Sequence, residues 1–280
     1  DYSNLTTFFK DQLQRKNRHE IKETLMIISK IAANHNRSHN FFDKIDKFLN
    51  LYKDEIKQTF SNFELFSIFK LNKRILLFLI NESLITIDKS IFNVINDNEY
   101  WNSSYVKYFF NECKRFLSSQ LIQEIEEELK EIDSESFEEK RKNGLNDSYI
   151  CELIRKDSID DFIVFTNQNE ISPSSTIKHS IFETNELLNK YSSLIHYAAF
   201  YGSIKIFKYL TLNKAKLMSS LWPCAIHGKK AEIIHFLEEN KINPIDYSYR
   251  NCLIESVKCY HNDLVNYFLN TYLADEDCEE

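Results

Sequence analysis

A chain of 280 residues, 43% hydrophobic and 28% charged, has the make-up of a soluble globular protein and can bury a substantial core. Three Gly and three Pro are too few for an all-β fold with many tight turns, and the isolated Gly144, Gly202 and Gly228 form no Gly-rich phosphate loop. The formal charge of -7, with no basic face, gives no reason to expect a nucleic-acid partner.

Helical spacing of apolar residues runs through nearly the whole chain and predicts an all-α fold. Ile21, Leu25, Ile28 and Ile31–Ala32 share one face, as do Phe41, Ile45, Phe48 and Leu49. The stretch Ser67–Leu79 aligns without gaps to Ala225–Leu237, and Asp88 then aligns with Asp246. Residues 62–88 therefore read as a degenerate unit of the kind found further on. The longest purely apolar run, Ile75–Ile80, is far too short to span a bilayer. Leu121, Ile125, Leu129 and Ile132 make another helical face. The acidic stretch Glu124–Glu139 and the acidic tail Asp275–Glu280 read as solvated. The polar segment Ser134–Asp147, with its basic run Lys140–Lys142, breaks the pattern. It closes an α-helical N-terminal region over 1–145.

Beyond it the sequence repeats. Ser193-Leu-Ile-His-Tyr-Ala-Ala-Phe-Tyr-Gly202 is followed by the apolar stripe of Ser203–Leu210. Units of the same frame start near Ser148, Ser220 and Asn251, at spacings of 45, 27 and 31 residues. The long spacing holds an insertion around Ser172–Lys190, with an extra short helix expected at Ile181–Leu188. The Ser193 unit resembles the ankyrin repeat, whose period is about 33 residues. Nearly the whole chain is similar to the lineage-expanded ankyrin proteins of trichomonad-type protists, which carry a variant ankyrin domain after a helical N-terminal region. The resemblance implies structural roles for Ser193, His196, Ala198, Ala199, Gly202 and Ala225. Ser193 would cap a helix, the His196 ring would bridge neighbouring repeat loops through the backbone, the alanines would let helices pack closely, and Gly202 would make the turn. Pro223 and Ile254 stand where the signature His is expected, and Lys229 and Tyr260 where the turn Gly is, with Gly228 one residue early. The missing finger glycines point to short, irregular loops in place of β-hairpin fingers.

Catalytic and metal chemistry find no linear motif. Six cysteines form no C-x-x-C pair and no zinc spacing, and read as buried, reduced thiols of an intracellular protein. Cys252 and Cys259, seven residues apart, are expected on one packed face. His35 and His39 share an i, i+4 spacing without a third ligand. The basic and aromatic mixtures at Lys107–Arg115 and Lys205–Lys216 fit helices with aromatics inward and lysines outward. No cofactor, small-molecule substrate, metal or membrane insertion is expected. The chain starts at Asp1, as a processed or trimmed chain would.

These readings predict an ankyrin-like helix-pair solenoid over 146–274, non-catalytic, that binds another protein in the cytoplasm, with a nuclear location also open. Self-assembly is the alternative. The resemblance puts partner contacts on the variable positions after each pair of small residues and just before each unit. Here these are Arg155, Lys156, Phe200, Tyr201, Met218, His227, Tyr249, Arg250 and Lys258, a mixture of aromatic and cationic side chains suited to interfaces.

Overall fold

The computed structural model describes residues 2–34, 39–97, 102–130 and 132–274. The described residues are helical with no named strand, and none of their helices is long and apolar enough to cross a membrane. The chain divides into two compact units, Asp1–Leu145 and Asn146–Glu280. His35, the side chain of His39 and the tail Asp275–Glu280 lie outside the described residues.

In the first unit α1 (Tyr2–Gln14), α2 (Arg18–Asn34), α3 (His39–Leu51) and α4 (Lys53–Thr59) precede α5 (Asn62–Phe69) and α6 (Lys73–Asn81). Then come α7 (Lys89–Asp97), α8 (Asn102–Tyr108), α9 (Phe110–Cys113), α10 (Ser119–Leu129) and α11 (Ser134–Asn143). Local chemistry sets several boundaries. Ser61 and Glu64 form a reciprocal capping box at the start of α5. The Asn72 side chain accepts from Ile75 N at 3.0 Å to start α6 and donates to Ala32 O at 3.2 Å. The apolar faces predicted from spacing point inward: Ile21, Leu25, Ile28, Ala32, Ile45, Phe48, Leu49 and Ile125 are all buried.

The polar segment Ser134–Asp147 is not a break. Most of it is α11, which starts where Asp133 accepts from Ser136 N at 2.9 Å and stops at Gly144, left-handed at φ 65°. It escapes a hydrophobicity reading because it buries one aromatic, Phe137, and one charge, Arg141.

The second unit contains four helix pairs: α12 (Tyr149–Arg155) with α13 (Ile159–Gln168), α15 (Leu194–Tyr201) with α16 (Ile204–Leu212), α17 (Leu221–Gly228) with α18 (Ala231–Glu239), and α19 (Tyr249–Lys258) with α20 (Asn262–Tyr272). The short α14 (Glu186–Lys190) precedes α15. First helices pack in chain order, α12 on α15, α15 on α17 and α17 on α19, and α16 packs on both α13 and α18. Each first helix ends in a residue at positive φ: Asp157, Gly202, Lys229 and Tyr260 at 50°, 66°, 50° and 54°. Only one of these is glycine. A left-handed conformation costs other residues about 1–2 kcal/mol. Helix-terminating bonds offset it: Ser158 N to Leu153 O, Ser203 N to Ala198 O and His261 N to Ser256 O, at 2.9–3.0 Å. Three of the four second helices, α13, α16 and α18, close the same way, with Glu170, Lys214 and Lys241 at positive φ.

The insertion departs from expectation. A helix forms at Glu186–Lys190, not over Ile181–Leu188. The Asn185 side chain accepts from Leu187 N and Leu188 N and so fixes the start. Upstream, side chains occupy the backbone donors: Ser180 Oγ accepts from Phe182 N at 3.1 Å, and Glu183 accepts from Asn185 N at 2.9 Å and from Asn146 N at 3.2 Å. Loops carry one isolated bridge, Thr176 with Ser193.

Candidate functional site

The first helices of the second unit hold almost every side chain singled out from the sequence. Their burial follows from position in the stack. α15 lies between α12 and α17, and Leu194 through Phe200 are all buried. α19 packs on only one first helix, α17, so Cys252, Ser256 and Cys259 turn inward while Arg250, Ile254, Val257 and Lys258 face solvent.

The His196 ring lies buried between α15 and α17. It bonds Ser193 Oγ through Nδ1 at 2.6 Å and Ser220 Oγ through Nε2 at 2.8 Å, and stacks on Tyr191 at 5.4 Å. It thus joins two consecutive units through hydroxyls and not through the backbone. Ser193 does not cap its helix as expected: its hydroxyl makes no capping bond and turns to the ring instead. Ala198, Ala199 and Ala225 are fully buried at the close approach of α15 and α17.

Burial pulls the His196 pKa down to about 4. The folded ring therefore binds a proton less readily than the unfolded one, at about 6.5. Its contribution is complete above pH 6.5 and is lost as pH falls toward 4. At pH 5 the loss is about 2 kcal/mol. Melting temperatures of wild type and His196→Asn between pH 7 and 4.5 are expected to show a shallower acid decline in the variant; parallel declines would assign the effect to other groups.

The partner strip is only partly a surface. Phe200 is fully buried and stacks on His227 at 5.0 Å, and His227, 3% exposed, bonds Glu255 Oε1 through Nε2 at 2.8 Å. Both residues are unavailable to a partner, a correction with a simple cause: corresponding positions on successive first helices lie over one another, so each ring is covered by the next. Tyr201 is half-buried with its hydroxyl enclosed, and packs on Tyr197 at 4.7 Å. Arg155, also half-buried, donates from Nη1 to Asn146 O at 2.9 Å and to Tyr197 Oη at 2.7 Å. Tyr249 stacks on Tyr272 at 3.7 Å, and Met218 is half-buried before α17. Lys156, Arg250 and Lys258 remain exposed.

Two apolar side chains join them that sequence reasoning missed. Ile254 and Val257 stand on the open face of α19. In the repeat frame they match His196 and Ala199, which are buried in α15. Ile254 also borders a groove between α17 and α19, lined by Pro223, Ile226, Pro244 and Ile245 and by the paired Glu255 and Lys258.

Cys113, Cys151 and Cys252 are held as thiols, with burial pushing their pKa values up to about 12, 11 and 12. Burial also pushes Cys224 up. None of the four has the depressed pKa of an activated nucleophile. Neither a family model, nor a curated protein, nor a solved structure matches this chain.

Proposed function

We propose that the second unit is an ankyrin-like stack of helix pairs that serves as a non-catalytic scaffold, binding another protein at the α17–α19 groove and the open face of α19. The observation that carries this reading is the exposure of Ile254 and Val257 beside Arg250 and Lys258. Exposed apolar residues cost nothing special singly, but aligned with cations beside an apolar groove they have the chemistry of an interface. The groove suits a segment with apolar side chains, since the charge of Lys258 is met by Glu255 beside it.

Affinity purification from the native cell with quantitative mass spectrometry, using wild type against Ile245→Asp/Ile254→Asp, tests it. Helicity by circular dichroism is expected to be unchanged, because both side chains are at least partly exposed. At least one enriched protein is expected to fall about tenfold or more, the equivalent of about 1.4 kcal/mol. An unchanged set would overturn the site.

A second reading rests on the repeat frame. Ile254 and Val257 match the residues through which α15 meets the following helix pair, so the same face could stack on a second copy of the chain. Light scattering across a concentration series separates the two: a dimer that Ile254→Asp/Val257→Asp dissolves would favour self-assembly.

A further inference from the structure

We infer that His227, Glu255 and Cys259 form a binding site for one divalent transition metal ion, zinc by its ligand chemistry, between α17 and α19. One ring nitrogen of His227, one carboxylate oxygen of Glu255 and Cys259 Sγ all lie within 4.8 Å of one another. Nitrogen, thiolate and carboxylate donors together select zinc and its soft neighbours over magnesium or calcium.

The backbone brings this set together. Glu255 and Cys259 lie one turn apart at the end of α19, at i and i+4, and so share a face. His227 comes from the last turn of α17, the helix against which α19 packs. His227 and Cys259 are 3% and 0% exposed, and Glu255 opens toward solvent at 17% of its side chain. His227 Nδ1 is buried with no hydrogen-bond partner, while Nε2 faces Glu255. A ring with one committed and one orphan nitrogen is not a finished hydrogen-bonding arrangement.

The size of the cluster suits the ion. Zinc bonds of about 2.0–2.3 Å in tetrahedral geometry place donors roughly 3.2–3.8 Å apart, so a pair at the 4.8 Å limit of the cluster needs to close by roughly 1.0–1.6 Å. Glu255, the most exposed of the three, already lies 2.8 Å from the His227 ring and can rotate as the ion enters. Lys258 Nζ, 3.1 Å from Glu255 Oε2, would give up part of its bond as the ion enters. Cys259 binds as thiolate, and its proton leaves to solvent. Three protein ligands leave a fourth position for water, and the ion would tie the last helix pair to the one before it.

Cobalt(II) is the probe, added to the full chain after chelator treatment. The expected result is a thiolate-to-cobalt charge-transfer band in the near ultraviolet with intensified visible bands of a tetrahedral ion. The bands should saturate at one ion per chain and be bleached by zinc. Cys259→Ser is expected to remove the charge-transfer band, and Glu255→Gln to weaken binding by about tenfold or more. Cys278→Ser, in the tail, is expected to leave the spectrum unchanged. A wild-type spectrum identical to that of the hydrated ion overturns the site without reliance on any variant. So does a band that survives Cys259→Ser or disappears with Cys278→Ser. In that case the His227–Glu255 contact is only a hydrogen bond joining two helices. The outcome is independent of the partner experiment above.

Discussion

Gly228→Ala is expected to destabilise the second unit by about 3 kcal/mol or more. A Cβ at position 228 would lie 2.1 Å from Ala199 O and 3.3 Å from Ala199 C. Both atoms are backbone, so no side chain can rotate away; α15 and α17 would have to separate. That interface also holds Ala198, Ala199, Ala225 and the His196 bonds, so the strain spreads along the stack. The sequence frame suggested that Gly228 was a turn glycine displaced by one position. The turn is made by Lys229, at φ 50°, and Gly228 is needed for closeness, not for a left-handed backbone. Urea unfolding gives the measurement: the midpoint should fall with the slope unchanged. Lys229→Ala, exposed and one residue on, is the control, expected within about 0.5 kcal/mol of wild type.

Arg141→Met is expected to cost the first unit about 3–5 kcal/mol. The guanidinium is only 2% exposed and neutralises two carboxylates at once. Nη1 donates to Glu112 Oε1 and Oε2 at 3.0 and 2.9 Å and to Tyr108 O at 3.0 Å, while Nη2 donates to both Glu138 oxygens at 2.5 and 2.7 Å. The guanidinium also lies over the Phe137 ring at 5.2 Å. Methionine fills much of the volume but leaves two facing carboxylates without a cation and a buried carbonyl without a donor. The penalty comes from those orphans more than from the lost pair. Adding Glu112→Gln and Glu138→Gln to Arg141→Met should therefore recover a large part of the loss. Equal melting temperatures for the single and triple variants would place the cost in packing instead.

The candidate surface was less legible than the fold. Position by position, the repeat frame treats Phe200, His227 and Lys258 as equivalent, yet two are buried and one is exposed. Their difference comes from what lies over each: Phe200 and His227 are covered by the next first helix in chain order, and among the described residues no first helix follows α19. The same effect hid Ile254 and Val257, whose places in the frame are interior in α15. The resemblance made Ser193 a helix cap; its hydroxyl bonds His196, three residues on, and makes no capping bond. No linear motif could have revealed His227 with Glu255 and Cys259, because the donors come from two helices 28 and 32 residues apart.

What the sequence determined by itself is the helical class, the inward faces of individual helices and the phase in which the C-terminal units recur. These follow from a period of 3.6 residues and a scarcity of Gly and Pro, which act within one or two turns of the chain. Only the tertiary structure decided that α11 buries an arginine between two glutamates, that Gly228 serves contact rather than turning, and which face of α19 remains open. Each of those depends on a neighbour distant in sequence, and burial is a property of the pair and not of the residue.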